Sequence, residues 1–134
     1  MDEVTHYGLV AAREAFAQSG LAASGFDPQR AGVIMSTGIG GINTMEREET
    51  LGLNQGYHRV ARFFSPLTIA NMTAGAFSLD FGLKGLGSWG VTACAASANG
   101  VGEAFHKIRD GYLEVMVAGG AEAAITPMGV SGFY

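Results

Sequence analysis

The chain has 134 residues, 48% hydrophobic and 15% charged, with a formal net charge of -4 at pH 7. That is the composition of one globular domain with enough apolar matter for a core, not of a disordered chain. The acidic balance (pI near 5.2) and the lack of any Lys/Arg block argue against a nucleic-acid partner, and a single cysteine excludes an internal disulfide or a cysteine-based metal cluster.

No stretch reads as a membrane span. The richest, Val115–Ala124 (V-M-V-A-G-G-A-E-A-A), is broken by two glycines and a glutamate. The acidic start M-D-E-V-T-H is unlike a signal peptide, so a soluble, cytoplasmic protein is expected. Glycine is abundant, 21 residues, and without any repeat this points to tight turns and close backbone approach.

In chain order, residues 2–19 predict a helix, with Tyr7, Val10, Ala11, Ala15 and Phe16 at helical spacing and Gly20 as stop. D-P-Q-R at 27–30 is a turn. Ala31–Met35 predicts a short buried strand that ends in the loop S-T-G-I-G-G. A polar helix over Ile42–Leu51 follows, then irregular chain to R-F-F-S-P. From Ser65 or Pro66 to Leu79 the pattern is helical, with Ile69, Met72, Ala76 and Leu79 on one side. Gly82–Gly87 is a turn cluster. Ser88–Ala93 predicts a strand and Ala95–Arg109 a helix with Ala98, Val101, Phe105 and Ile108 inward, stopped at Gly111. Leu113–Ala118 predicts a last strand. Strands alternating with helices imply an α/β fold with a parallel sheet flanked by helices, and residues 88–118 form one βαβ unit.

Cys94, in V-T-A-C-A-A-S, is placed between a strand and the first turn of a helix. Helix N-termini present unpaired N–H groups and partial positive charge, which favour a thiolate and an oxyanion. Ala93, Ala95 and Ala96 leave room for a sharp turn, the logic of a nucleophile elbow, although the literal G-x-S-x-G is absent. The competing reading is a buried, inert thiol. A cysteine nucleophile needs a base or cationic partner. His106 is twelve residues along the same helix, roughly 18 Å away. His6 reads as a surface residue, and His58, in N-Q-G-Y-H-R, is the one candidate. The loop S-T-G-I-G-G lacks the third glycine of a dinucleotide fingerprint and carries no Gly-Lys-Ser/Thr. It reads as a tight turn, with Ile39 free to line or gate an apolar pocket.

V-T-A-C-A-A-S-A-N-G-V-G-E-A-F-H-K-I-R-D-G, then V-M-V-A-G-G-A-E-A-A-I-T-P-M-G-V-S-G-F, resembles the active-site region of the β-ketoacyl-acyl carrier protein synthases. S-T-G-I-G-G, R-F-F-S-P and I-A-N-M-T-A-G match in the same order, nearest to the type II condensing enzymes of fatty acid synthesis. The resemblance implies a thiolase-like fold of two similar α/β halves in five layers. Residues 1–134 correspond to a partial N-terminal domain, incomplete at both ends. It implies a reaction in two stages: a cysteine takes an acyl group from acyl carrier protein, and a decarboxylated malonyl unit then attacks that thioester. Cys94 resembles the nucleophile, with its own N–H as half of the oxyanion hole. Ile39 resembles the gate of the acyl pocket, and Phe64 a pocket residue reached from the partner subunit of a homodimer. No cofactor or metal is implied. The family's two catalytic histidines, its lysine and its glycine-phenylalanine loop have no counterpart in these residues, so the fragment alone is expected to be inactive. Ser97 departs from the glycine often found there. A non-catalytic remnant or chain-length-factor-like partner, or a thiolase-like acyltransferase, stand as alternatives.

Overall fold

The computed structural model describes residues 1–134. Its centre is the strand β1 (Ala31–Ser36), buried along its whole length. β1 lies between β2 (Gly87–Ser88) and β3 (Val115–Gly120), in the order β2-β1-β3, with every pairing parallel. The run A-G-V-I-M-S is continuous rather than alternating because both faces of this strand are covered.

Side chains alternate across a strand, so β1 serves two layers. Ala31, Val33 and Met35 share one cluster with Leu9, Ala12 and Phe16 of α1 (Glu3–Gln18) and Ala74 and Phe77 of α5 (Met72–Phe81). Phe16 meets Phe77 edge-on at 6.1 Å between ring centroids and Phe81 at 4.3 Å. On the opposite face Ile34 and Ser36 lie beneath α6 (Ala96–Arg109). Four further helices complete the set: α2 (Leu21–Ser24), α3 (Ile42–Gln55), α4 (Phe64–Thr68) and α7 (Pro127–Gly132). No helix is long and apolar enough to cross a membrane.

The element order follows the sequence reading, with two changes. The helix expected over residues 65–79 is two helices, broken where Ile69 adopts an extended conformation. The strand expected over Ser88–Ala93 pairs only at Gly87–Ser88. Beyond Ser88 the chain still tracks β1: the Gly90 N–H donates to Ser36 Oγ at 3.1 Å, and the Thr37 N–H to the Gly90 carbonyl at 3.1 Å.

The inward faces of three helices differ from expectation for one reason. On α6 the buried residues are Ala96, Gly100 and Ala104, whereas Ala98 and Ile108 face outward and Val101 and Phe105 are 54% and 60% exposed. A Cβ on Gly100 would stand 3.0 Å from Ser36 Oγ and 3.2 Å from Ile34 Cγ2, so the helix backbone approaches the sheet through its smallest residues. On α1, Gly8 packs on Thr73 and Leu9 and Ala12 are buried, while Tyr7 and Val10 are exposed. On α5, Thr73, Ala74 and Phe77 point inward and Leu79 points out, while Ile69, in the break before the helix, is exposed. Apolar periodicity finds a face that needs cover; it does not say which neighbour supplies it.

Two carboxylates tie the helices together. Asp2 is buried, accepts from the Val4 N–H of α1 at 3.1 Å, and accepts from the Thr44 N–H of α3 at 2.8 Å. One side chain therefore satisfies unpaired donors at two helix N-termini. Asp2→Ala is expected to lower stability by about 1–3 kcal/mol, measured by denaturant unfolding, because it leaves both donors unpaired; an unchanged midpoint contradicts that role.

Glu48 of α3 accepts from the Ala61 N–H at 2.8 Å and from Arg47 Nη2 at 3.0 Å, fixing the loop that leads into Phe64. The Ala61 N–H, then Arg47, hold the Glu48 carboxyl below its ordinary value of 4.5. A carboxyl depressed in the folded state stabilises fully above its unfolded value, and that stabilisation is lost as pH falls through the folded value. Glu48→Gln is therefore expected to flatten the loss of stability below about pH 4.5 relative to the parent chain. Thermal melts across that acid range check it, and parallel curves for the two chains refute it.

Candidate active site

The carboxyl ends of parallel strands are where α/β sheets bind ligands, because loops diverge there and helix N-termini converge. Here β1 runs out at Ser36 and Thr37 and β3 at Gly120, Ala121 and Glu122, and both ends line a cleft of about 400 Å³. Its remaining wall comes from Gly38 and Ile39, the turn around Cys94, Ser97 and Phe133.

Cys94 is exposed on this cleft. It sits in a 3-10 turn, Ala93–Ala95, one residue before the α6 N-cap Ala95, rather than within the first helical turn. It stands over the ends of β1 and β3 and not at the end of the strand that precedes it, since β2 stops at Ser88. Ala93 has φ 48, a left-handed conformation that costs energy for any residue with a Cβ. A small residue there bends the chain sharply enough to present the next side chain. The turn is closed by the Ala95 N–H to the Thr92 carbonyl at 3.1 Å and by the Ala96 N–H to Ala93. Neither bond uses the Cys94 N–H, and α6 carries no side-chain cap. The buried-thiol reading is set aside by this exposure.

The loop after β1 threads between two walls. A Cβ on Gly38 would lie 2.7 Å from Glu122 Oε2 and 3.7 Å from Ala93 Cα, so a side chain there would push the Glu122 carboxylate aside. Gly40 has φ 92 and would press a Cβ to 3.0 Å from the Thr68 carbonyl, which makes glycine necessary on both counts. The Gly38 and Ile39 N–H groups donate to Glu122 Oε2 at 2.8 and 2.9 Å. Donors that a phosphate would need are thus already taken by a carboxylate, in keeping with the rejected dinucleotide reading. Ile39, 40% exposed, faces the cleft that Cys94 faces.

Of the residues singled out in the sequence, the fold brings Cys94 and Ile39 together. Phe64 is elsewhere, half-buried at the start of α4 in a surface hollow with Met45, Glu48, Tyr57 and Val60. His58 sits in the 3-10 turn Tyr57–Arg59 and lines no part of the cleft, so it is not a base for Cys94. His6 on α1 and His106 on α6 are exposed and equally absent from it. Sequence reading missed Glu122, Thr37 and Phe133 as cleft residues. Glu122 had a signal: a lone acid in the otherwise apolar V-M-V-A-G-G-A-E-A-A, two residues beyond the last strand.

Comparison with known proteins agrees with this geometry. A 3-oxoacyl-(acyl-carrier-protein) synthase 2 of Synechocystis is 38% identical over 133 residues, 99% of this chain and 32% of that protein. The enzyme of the same name from Staphylococcus aureus is 41% identical over 133 residues, with the same coverage. The chain therefore spans about a third of the length of these curated relatives. A solved complex of a type II PKS acyl-carrier protein with its ketosynthase, bound to the hexaketide, superposes with a TM-score of 0.89 at 25% identity, covering 99% of this chain and 38% of that one. The parallel sheet flanked by helices is the thiolase-like arrangement of such ketosynthases. The sequence model of the β-ketoacyl synthase N-terminal domain matches residues 1–134, and the chain belongs to that family.

Proposed function

We propose that this chain carries the acyl-accepting cysteine of a 3-oxoacyl-acyl carrier protein synthase. The observation that carries the reading is Cys94 exposed on a strained turn, at the carboxyl ends of β1 and β3, in a cleft it shares with Ile39. The Cys94 thiolate attacks the carbonyl carbon of an acyl thioester, the bond from that carbon to the carrier's sulfur breaks, and the carrier leaves as its thiolate, which takes a proton from water. The acyl group then rests on Cys94 as a new thioester. The developing oxyanion is stabilised by the Cys94 N–H, which the turn leaves unused. Ile39 sets the space open to the acyl tail.

The second stage, loss of CO2 from a malonyl thioester and attack of the carbanion on the Cys94 thioester, needs groups that polarise the malonyl carbonyl. His6, His58 and His106 do not line the cleft, so those groups are assigned to residues beyond these 134. The outward apolar face of α6, with Val101 and Phe105, is the surface on which the rest of such an enzyme would pack. Acyl and malonyl carrier proteins are the partners, a reading supported by the complex to which this chain is similar. Phe64, opening onto a surface hollow away from Cys94, fits a residue lent to the other subunit of a homodimer. The setting proposed is cytoplasmic.

Two outcomes test the reading in the full-length enzyme. Cys94→Ser is expected to lower acyl transfer by at least about a hundredfold, since a neutral hydroxyl without its base is a poor nucleophile; intact-mass detection of the acyl adduct reads it directly. An adduct that persists in the serine variant places the nucleophile elsewhere. Ile39→Trp is expected to slow transfer from long-chain acyl donors by about tenfold while sparing the shortest, because overfilling a pocket excludes the longest tail first. Equal rates across chain lengths would return Ile39 to the status of a turn residue.

A further inference from the structure

We infer that Glu122 is a positioning residue that latches the Ile39 loop over the cleft and thereby sets which acyl chains reach Cys94. The inference rests on the reading of Ile39 as a gate given above. Glu122 Oε2 accepts from the Gly38 N–H at 2.8 Å, the Ile39 N–H at 2.9 Å and Thr37 Oγ1 at 3.3 Å, while Oε1 accepts from the Ala123 N–H at 3.1 Å. Thr37 Oγ1 in turn accepts from the Gly40 N–H at 3.1 Å. Every N–H from Gly38 to Gly40 is therefore held, directly or through Thr37, by a side chain anchored at the end of β3.

All four donors that meet Glu122 require an acceptor, and a carboxylate is the only side chain of this size that accepts on both oxygens. An amide replaces it only in part: with its oxygen toward the loop it loses the charge and sets its NH2 against the Ala123 N–H. Ile39 lines the cleft, and beyond Gly40 the next tie is the Gly41 N–H to the Thr68 carbonyl at 3.1 Å. Gly38 provides the approach, because any Cβ there would stand 2.7 Å from Glu122 Oε2. The latch is set by geometry. It is also reversible, because Glu122 itself is exposed to the cleft and its bonds exchange with water at modest cost. Releasing it frees the gate without disturbing the core cluster around β1, to which Glu122 does not belong.

The test uses the full-length enzyme with Glu122→Gln, Thr37→Val and Ile39→Ala, each checked for a cooperative melt. The readout is the ratio of acyl transfer to Cys94 from a long-chain over a short-chain acyl carrier thioester, with kcat and KM separated. Alongside it runs the ratio of Cys94 alkylation by a long-chain alkyl iodide over iodoacetamide, which needs no condensation. Damage to the fold lowers both members of each ratio together; a freed gate changes the ratio. Glu122→Gln is expected to raise both ratios about three- to tenfold, mainly through KM, in the same direction as Ile39→Ala. Thr37→Val is expected to shift them the same way, and the Glu122→Gln, Thr37→Val pair to shift them by less than the product of the singles. If Ile39→Ala moves the ratios and neither latch variant does, the latch is overturned and the gate stands. If Ile39→Ala moves nothing, the gate reading fails and the latch loses its function with it. Should Glu122→Gln not fold, Thr37→Val alone decides: an unchanged ratio overturns the latch.

Discussion

The close approach of α6 to the sheet is the constraint on which the site depends. Ala96, Gly100 and Ala104 let the helix backbone come down onto Ile34 and Ser36, and that contact fixes the height and direction of the helix N-terminus. Cys94 stands directly before that end, so its position over β1 and β3 follows from the smallness of residues on the next two turns. A larger side chain at position 100 would lift the helix and carry the cysteine away from the cleft. Cys94 is thus placed by packing further along the helix that follows it.

From this contact the rest of the cleft is built by exclusion of bulk. Ser36 meets Gly100 above and binds the Gly90 N–H beside it, so one hydroxyl keeps both α6 and the residues following β2 against the end of β1. Gly120 lies against Ser97 and the Ser36 carbonyl, leaving no room for a side chain between β3 and α6. Ser97 fits against β3 because its neighbour there, Gly120, is itself a glycine. Gly38, Gly100 and Gly120 are thus three of the 21 glycines whose lack of a side chain lets neighbouring segments close around the cysteine.

Much of the fold was legible in the sequence, and the failures share a physical origin. Ala31–Met35 could be recognised because a continuous apolar run bounded by a turn and a glycine loop has few other solutions. The boundaries of α6 followed from the alanines after Cys94 and from Gly111. Its orientation could not be read, because a helix with a small-residue face and a large apolar face has two candidate interiors, and a single chain does not reveal which is covered by its own sheet. The residues Ser88–Ala93 were misjudged as a full strand because β propensity cannot tell a paired strand from extended chain held by single hydrogen bonds. Motif reading pointed to Cys94 and Ile39, and both line the one cleft. Glu122 escaped it because its role is to accept backbone N–H groups some eighty residues away, a relation with no local pattern.

Asp2 links these observations at a distance. Its carboxylate joins the start of α1 to the start of α3, and α3 begins immediately after the loop that carries Ile39. The Gly41 backbone is packed so close to it that a Cβ there would stand 3.3 Å from Asp2 Cγ. The loop thus has two fixed ends, one set by β1 and the other by a side chain near the start of the chain. A change at that remote acid, or in the first turn of α1, is therefore felt at the far end of the loop that carries Ile39, although Asp2 does not line the cleft.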